Sequence, residues 1–344
     1  MKKRSSLWGP TVLAGSFLLI LALSFSPACS GQSKDQGKLP EQLSGLKGPF
    51  DLSPERSQEI QYYLQETQVI QIGFDGKRKS TETYTFKLKI VPASLANHDG
   101  DVCTVGEFRF QSGDQQPVTI RELAGWSYVF RHTASGIDEK NQVFGIPHDR
   151  FESLTASDGQ KIAGPRSYPI YNSFIDFHAF CDILARPIPG GTGIQDLKYP
   201  GQSIRHAAAF SEPPVHLGQG IKEGSVFRNG EVRLIFKGIG LVEGAACAVV
   251  GYDSGESTLK MIMSSGAGGD IVTEGGSEYI GDIYVDLNTG WVRKVTLDEF
   301  VVTETRLPEA MAAVVQGQRI FSYTVRHLLI KKISQPEFEK LNQK

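Results

Sequence analysis

The side chains best suited to chemistry are concentrated in a short segment near the middle of the chain. Asp176, His178 and Cys181 lie close together and are followed directly by Asp182. Residues three or four apart share one face of a helix, so a helix would bring His178 next to Cys181 and Asp182. Zinc binds imidazole, thiolate and carboxylate groups. The segment is therefore the candidate site of a hydrolase or another metal-dependent enzyme, with Asp176, His178 and Cys181 as candidate metal ligands.

The residues around this segment favour a structural role for it. Phe174, Phe177 and Phe180 give it an apolar stripe, on which a buried and hydrogen-bonded histidine is ordinary. The chain contains no His-Glu-x-x-His, no Gly-x-Ser-x-Gly and no phosphate-binding glycine loop that ends in Lys-Ser or Lys-Thr. The sequence therefore predicts no catalytic residue, no bound metal and no cofactor, and the enzyme stays an alternative to a binding function.

A second set of side chains is suited to binding an apolar ligand. Trp126, Tyr128 and Phe130 occupy every second position, the spacing that places side chains on one face of a strand. Tyr284 and Trp291 lie in a later pair of predicted strands. A curved sheet lined with aromatic side chains can enclose an apolar cavity, the common form of a ligand pocket. These five aromatic residues are the predicted ligand-binding residues, and the predicted ligand is an apolar small molecule or a lipid.

The start of the chain has the composition of an export signal. Residues 2–4 are basic and precede an apolar stretch over residues 12–23, and Ser26 and Ala28 are small residues spaced as at a cleavage site. The apolar stretch is shorter than the ~20 residues that span a bilayer as a helix. We therefore predict a signal peptide over residues 1–28 and a protein that leaves the cytosol.

The residues after the apolar stretch resemble the lipobox of bacterial lipoproteins. Ala28-Cys29-Ser30-Gly31 matches the end of that motif, in which the cysteine becomes the lipidated first residue, while Ser26 stands where the family prefers leucine. The resemblance covers the N-terminal segment alone. It implies that Cys29 carries a lipid, that this lipid anchors the protein to a membrane, and that the protein lies in the cell envelope, facing the periplasm or the outer surface.

Charge and composition limit the other partners. Lys and Arg number 36 against 38 Asp and Glu, a net charge of -2, and removal of residues 1–28 with their three basic residues leaves -5. A nucleic-acid-binding surface requires a large positive surplus, so no nucleic-acid partner is predicted. Gly, Ser, Lys and Gln are frequent over residues 29–50, which predicts a flexible tether.

Alternation of apolar and polar residues, the pattern of half-buried strands, dominates the rest of the chain. The alternation continues on both sides of residues 75–76 (Asp-Gly), which predicts a hairpin, and resumes after residues 229–230 (Asn-Gly). A long hairpin is predicted around residues 288–290 and a further strand over residues 319–331. The predicted fold class is mainly β, with a few short helices. Its long antiparallel strands form either one broad curved sheet or open barrel, or two tandem β domains.

Few segments have helical patterns. A Ser-Pro-Glu sequence at residues 53–55 predicts a helix start, and residues 336–341 predict a last helical turn. Residues 173–185 fit a helix or a strand, and the helix is favoured because Pro187 follows. The Gly-rich stretch over residues 264–281 is longer than an ordinary hairpin connection, which predicts a flexible lid or rim loop.

Three cysteines remain if Cys29 is lipidated: Cys103, Cys181 and Cys247. Three thiols form at most one disulfide, which an oxidising compartment permits. Free cysteine is among the most buried residue types, so buried and unpaired thiols are the favoured alternative.

The predicted organisation has five segments. In chain order these are the signal peptide (1–28), the tether (29–50), an N-terminal β region (51–168), a helical or mixed connector (169–190) and a C-terminal β region (191–344). The function favoured by these predictions is that of an exported, lipid-anchored envelope protein, a binding or carrier module for an apolar or amphipathic ligand. Two alternatives stay open: an envelope hydrolase or metal-dependent enzyme that uses Asp176, His178 and Cys181, and a surface scaffold for protein partners.

Overall fold

A computed structural model describes residues 48–340, apart from residues 74, 132–141, 164–166, 214–220, 266–268 and 316–318. The predicted signal peptide, Cys29 and most of the predicted tether lie outside the described residues. The described residues belong to one unit of the chain. None of the helices described is long and apolar enough to cross a membrane.

Strands make up most of the regular structure, which confirms the prediction of a mainly β chain with a few short helices. In chain order the strands are β1 (Gln61–Ile72), β2 (Arg78–Val91), β3 (Asp101–Ser112), β4 (Val118–Thr119), β5 (Ser127–Phe130), β6 (Ser153–Thr155), β7 (Lys161–Ala163), β8 (Ser203–Arg205), β9 (Val226–Arg228), β10 (Arg233–Val242), β11 (Ala245–Asp253), β12 (Ser257–Ser264), β13 (Asp270–Asp286), β14 (Val292–Arg306) and β15 (Arg319–Lys332). The helices are α1 (Ala93–Ala96), α2 (Tyr168–His178), α3 (Glu309–Val315) and α4 (Gln335–Lys340), and a π-helical turn, Ala179–Ile183, continues α2.

Thirteen of the described strands form one antiparallel sheet. Its path runs β4-β3-β2-β1-β15-β14-β13-β11-β10-β8, with β5 beside β3, β12 beside β13, and β9 beside β12. The first long strand, β1, pairs with the last, β15, so the predicted N-terminal and C-terminal β regions share one sheet. The path ends at β4 and at β8 without joining itself, so the sheet is open.

The hairpin of β13 and β14 shows how local sequence sets the strand pairing. Ile283 and Val285 are buried on one face of β13, in agreement with the alternation of the sequence. At the turn, a carboxylate oxygen of Asp286 accepts the backbone N–H groups of Asn288 and Thr289 at 2.9 and 3.1 Å. Gly290 then takes a φ of 68°, which glycine adopts without steric cost. The hairpin predicted around residues 288–290 is confirmed.

The prediction of a flexible loop over residues 264–281 is wrong, because most of this stretch belongs to β13. Its glycines fit a close approach between strands. A Cβ atom on Gly275 would lie 2.1 Å from the carbonyl oxygen of Val302, and one on Gly281 would lie 2.0 Å from that of Thr296. Glycine in a strand interior is typical of such close backbone approach.

The helix predicted to start at residues 53–55 is also absent from the described structure, where β1 begins at Gln61 instead. The buried Tyr63 fits the alternation of a strand, and its hydroxyl donates to the carbonyl oxygen of Val292 at 2.8 Å. Hydrogen bonding of β1 to β2 on one side and to β15 on the other outweighs the local helical pattern. The helix favoured over residues 173–185 and the last turn at residues 336–341 are confirmed by α2 with its π-helical turn and by α4.

The two faces of the sheet are covered differently. On the inner face, Phe174 of α2 stacks on Phe86 of β2 with 4.8 Å between ring centroids. On the outer face, α4 covers one end of the strands: Phe338 lies 5.2 Å from the ring of Tyr62, and the Lys87 ammonium donates to the carbonyl oxygens of α4. Farther along β14 and β15, the outer face carries exposed apolar side chains.

Candidate functional site

The most extensive polar contacts of the interior are centred on His178, which is 0% exposed. Its Nε2 atom lies 2.6 Å from the Tyr128 hydroxyl, and its Nδ1 atom lies 2.7 Å from a carboxylate oxygen of Asp182. Because an ionised carboxylate only accepts hydrogen bonds, Nδ1 carries a proton and donates it to Asp182. The ring of Phe130 stacks on the imidazole with 4.3 Å between centroids.

Two guanidinium groups surround Asp182. Arg56 and Arg186 donate to its Oδ1 atom at 2.6 and 3.1 Å, and Arg186 also donates to Asp101 at 2.9 Å. Burial alone would raise the pKa of Asp182. The charges of Arg56 and Arg186 outweigh burial and hold this pKa well below its usual value, and the hydrogen bond from His178 lowers it further. The carboxyl is therefore ionised, and two arginines balance two aspartates.

We call this group the His178 network; its members are Asp101, Tyr128, His178, Asp182, Arg56 and Arg186. His178 ends α2, Asp182 lies in the π-helical turn, and Arg186 follows three residues after that turn ends. The other members come from β3, from β5 and from the segment before β1. The network therefore joins α2 to the sheet and to the N-terminal segment. Removal of one partner from a buried ion pair is costly, because the remaining charge is left buried and uncompensated. The loss of any charged member of the network should therefore weaken this packing.

A second charged group contains Asp176, which lies on the opposite side of α2 from His178. Residues two apart on a helix point in nearly opposite directions. Arg326 of β15 donates to Asp176 of α2 and to Glu299 of β14. Burial raises the pKa of Asp176, and the charge of Arg326 offsets this only in part. Asp176 therefore binds a proton more readily than an exposed aspartate. We call these three residues the Arg326 cluster.

The three predicted metal ligands are drawn into different contacts. Asp176 belongs to the Arg326 cluster, whereas His178 belongs to the His178 network. Burial raises the pKa of the Cys181 thiol well above its usual value, so the thiol stays protonated and unreactive. Cys103 and Cys247 are likewise buried, and all three thiols are free. Within the part of the chain that the structure describes, no group of three or more His, Cys, Asp or Glu is placed to hold a metal ion.

The five predicted ligand-binding aromatic residues lie in three places. Trp126 stacks on Tyr128 at 5.0 Å, and together with Phe130 they pack against α2. Trp291 is buried elsewhere, and its indole N–H donates to a backbone carbonyl oxygen at 2.9 Å. Tyr284 alternates with the buried residues of β13 and points to the outer face. Tyr128 and Phe130 are buried and Trp126 is half-buried, and the ligand-binding role of all three stays a prediction.

An apolar groove of about 360 Å³ lies on the outer face, near the turn between β1 and β2. We call it the outer groove. It is lined by Ile72, Gly73, Gly76, Phe300, Val301, Val302, Tyr323, Thr324 and Val325. Its volume is at the lower end of the ~300–1,000 Å³ that is typical of small-molecule sites.

Strand register brings the walls of the outer groove together. Phe300 lies opposite Val325, and Val302 lies opposite Tyr323, which in turn lies opposite Ile72 on β1. Directly opposed residues share one face of a sheet, so these side chains form one apolar surface across three strands. Phe300 and Val302 are 49% and 51% exposed. Contiguous exposed apolar surface marks binding sites more often than scattered apolar residues do.

The residues of the outer groove were not among the predicted ligand-binding residues, although the sequence contains a signal for them. Phe300, Val301 and Val302 are three consecutive apolar residues at the end of an otherwise alternating strand. An alternating strand buries one face alone, so a consecutive run places apolar side chains on both faces. Such a run predicts either burial on both faces or an exposed apolar surface. Register with β1 and β15 decides between these two outcomes.

No protein-family model matches the chain. No curated protein matches it either. Among solved structures, the chain has a weak likeness to the crystal structure of a DUF1329 family protein from Desulfovibrio piger ATCC 29098. The match has 9% sequence identity, covers 83% of this chain and 92% of that chain, and has a TM-score of 0.14. A likeness at this level carries no argument about fold or function.

Proposed function

We propose that the protein is an exported, lipid-anchored envelope protein that binds one apolar or amphipathic ligand in the outer groove. The observation that carries this proposal is the exposure of Phe300 and Val302 in a groove of single-molecule size. The interior beneath α2 offers less, because closely packed aromatic rings fill it. The signal at residues 1–28 and the lipobox resemblance at Cys29 support export and anchoring.

A hydrocarbon chain suits the outer groove better than a polar metabolite does. The groove is lined mainly by apolar residues, with Tyr323 and Thr324 as its residues that carry a hydroxyl. A polar ligand would lose its hydrogen bonds to water there, whereas an apolar chain gains about 25 cal/mol per Å² of surface removed from water. We therefore take a single acyl or alkyl chain as the occupant.

Displacement of a neutral apolar fluorophore tests the binding function. The full chain carrying Cys29→Ser has no N-terminal acyl group to compete for the groove, and N-phenyl-1-naphthylamine brightens in apolar surroundings. We expect the fluorophore to bind and tetradecanol to displace it. The double variant Phe300→Gln and Val302→Gln should weaken tetradecanol binding about 30-fold, because two apolar contacts of about 1 kcal/mol each are lost.

The matched control is Val226→Gln on β9, where the valine is 39% exposed but lies outside the groove lining. It should bind tetradecanol as the parent does. Equal binding by parent, groove variant and control, or no binding by the parent, contradicts a ligand site in the outer groove.

Anchoring is tested separately at the N-terminus. The intact mass of the mature protein should correspond to a chain that starts at Cys29 with attached acyl groups, and Cys29→Ser should move the protein from the membrane to the soluble fraction. A mature chain that starts elsewhere, or one without added lipid mass, contradicts the anchor and leaves the groove proposal to its own test.

A further inference from the structure

We propose that the occupant of the outer groove is a single-chain amphiphile with an anionic head group, bound by Arg78 and Lys79 at the turn between β1 and β2. This inference rests on the proposed function, since it names the chemical class of ligand for the same groove. It concerns the end of the groove at which the polar head lies and the sign of its charge.

The turn is part of the groove wall. Gly73 and Gly76 line the groove, and the backbone N–H of Gly76 donates to the carbonyl oxygen of Gly73 at 2.9 Å. Arg78 lies directly opposite Ile72, another lining residue. The stem of Lys79 passes over Gly73, since a Cβ atom on that glycine would lie 2.3 Å from Lys79 Cε. Both cationic side chains therefore start within one strand spacing of the groove.

The turn has an excess of positive charge. Lys77, Arg78 and Lys79 are consecutive and exposed, and Asp75 is the nearest acidic residue in sequence. The carboxylate of Asp75 accepts the backbone N–H of Lys77 at 3.1 Å. Within the described residues, none of the three basic side chains forms an ion pair. An anionic head group at this end therefore gains charge–charge attraction without breaking an existing ion pair.

The other end of the groove has the opposite sign. Glu278 of β13 lies directly opposite Phe300 and is exposed. Asp298 on the same face is paired with His327. An anionic head group at this end meets a carboxylate of its own sign. The two ends together orient the ligand, with its head at the turn and its chain extending toward Phe300.

The volume of the groove favours one monomeric amphiphile over a membrane surface as the occupant. About 360 Å³ accommodates one chain of a ligand, whereas docking on a bilayer relies on a broad apolar face together with a larger basic surface. The competing possibility is that the groove docks on a membrane surface. A comparison of monomeric amphiphiles with lipid vesicles separates the two.

Three amphiphiles with the same chain length test the sign of the head group. Myristate, tetradecanol and tetradecyltrimethylammonium, each below its micelle concentration, displace N-phenyl-1-naphthylamine from the full chain carrying Cys29→Ser. We expect myristate to bind at least about 25-fold more tightly than the cationic amphiphile, because Arg78 and Lys79 each contribute about fivefold. The preference should diminish as salt is raised.

The double variant Arg78→Gln and Lys79→Gln should bind myristate about 25-fold more weakly and should bind tetradecanol as the parent does. Its matched control is the double variant Arg233→Gln and Lys237→Gln, which removes two exposed charges on β10 and should keep the myristate preference. If all three amphiphiles bind alike and the turn variant changes nothing, the head-group inference is overturned while the groove function stands. If none binds, the groove function itself fails.

Binding to vesicles containing phosphatidylglycerol tests whether the groove docks on a membrane instead. Binding to these vesicles without binding to any monomeric amphiphile overturns the inference and identifies the turn and groove as a membrane-docking surface. Binding of monomeric myristate with loss in the turn variant supports it.

Discussion

The interior beneath α2 and the outer groove differ in how completely their side chains are occupied by partners within the protein. In the interior, His178 has a partner at each ring nitrogen, and Asp182 has two arginines. In the groove, Phe300 and Val302 leave about half of their surface in water. Residue types that often perform catalysis are here used to hold a helix on a sheet, whereas ordinary apolar residues remain open to a ligand. Side-chain type alone thus does not show which side chains of this molecule are accessible to a ligand.

The largest expected effect comes from breaking the His178 network. Asp182→Ala leaves Arg56 and Arg186 buried without their shared carboxylate, and we expect a loss of about 3–5 kcal/mol of unfolding free energy. Urea denaturation measures the loss. The matched control is Asp298→Ala, which removes an exposed partner of His327 and should cost less than about 1 kcal/mol. Similar losses for the two variants would show that the network is no more important than a surface pair.

An intermediate effect is expected from a second buried histidine. Burial lowers the pKa of His206 from its ordinary value of 6.5 to about 4. Below pH 6.5 the unfolded chain binds a proton at this position that the folded protein does not, so the unfolding free energy falls as the pH falls toward 4. At pH 5 the loss is about 2 kcal/mol relative to neutral pH.

His206→Asn tests this prediction, because the amide oxygen of asparagine can accept the N–H of Ala208 as the His206 Nδ1 atom does, and asparagine does not titrate. We expect a smaller difference in unfolding free energy between pH 7 and pH 5 in the variant than in the parent. A difference as large as that of the parent would assign the acid sensitivity to other groups.

The smallest effect on stability is expected in the outer groove. The double variant Phe300→Gln and Val302→Gln changes exposed side chains, so its unfolding free energy should stay within about 0.5 kcal/mol per site of the parent value. The same variant is expected to lose ligand affinity, which separates binding from folding. A loss of several kcal/mol would mean that these side chains are packed in solution, and the contrast between the two regions would disappear.

The strands were largely predictable because their signals are local. Alternation and the turn at Asp286 to Gly290 depend on residues close in sequence, and the β13–β14 hairpin followed them. The prediction of a helix that starts at residues 53–55 was wrong because β1 gains hydrogen bonds on both sides, from the next strand β2 and from the distant strand β15. The prediction of a loop in the Gly-rich stretch was wrong because its glycines allow neighbouring strands to approach closely. Composition alone does not distinguish such a strand from a mobile loop.

The candidate site was less predictable than the fold. Asp176, His178 and Cys181 have the residue types of a metal site, yet Arg56 and Arg326 come from distant segments and pair with Asp182 and Asp176. The spacing of the segment gives no sign of these two distant partners. The groove residues were missed because an apolar residue on a strand is normally buried, and exposure depends on which part of the sheet is covered.

The sequence by itself determined the mainly β class, the hairpins and the helical segment over residues 173–185, and it is also the sole basis for the expectations of export and of a lipid at Cys29. These features depend on local composition, alternation and turn chemistry. The tertiary structure alone decided that β1 lies beside β15, that His178 is enclosed and that Phe300 and Val302 face water. The physical reason is that burial and charge pairing are properties of neighbours in space, and those neighbours come from segments far apart in the chain.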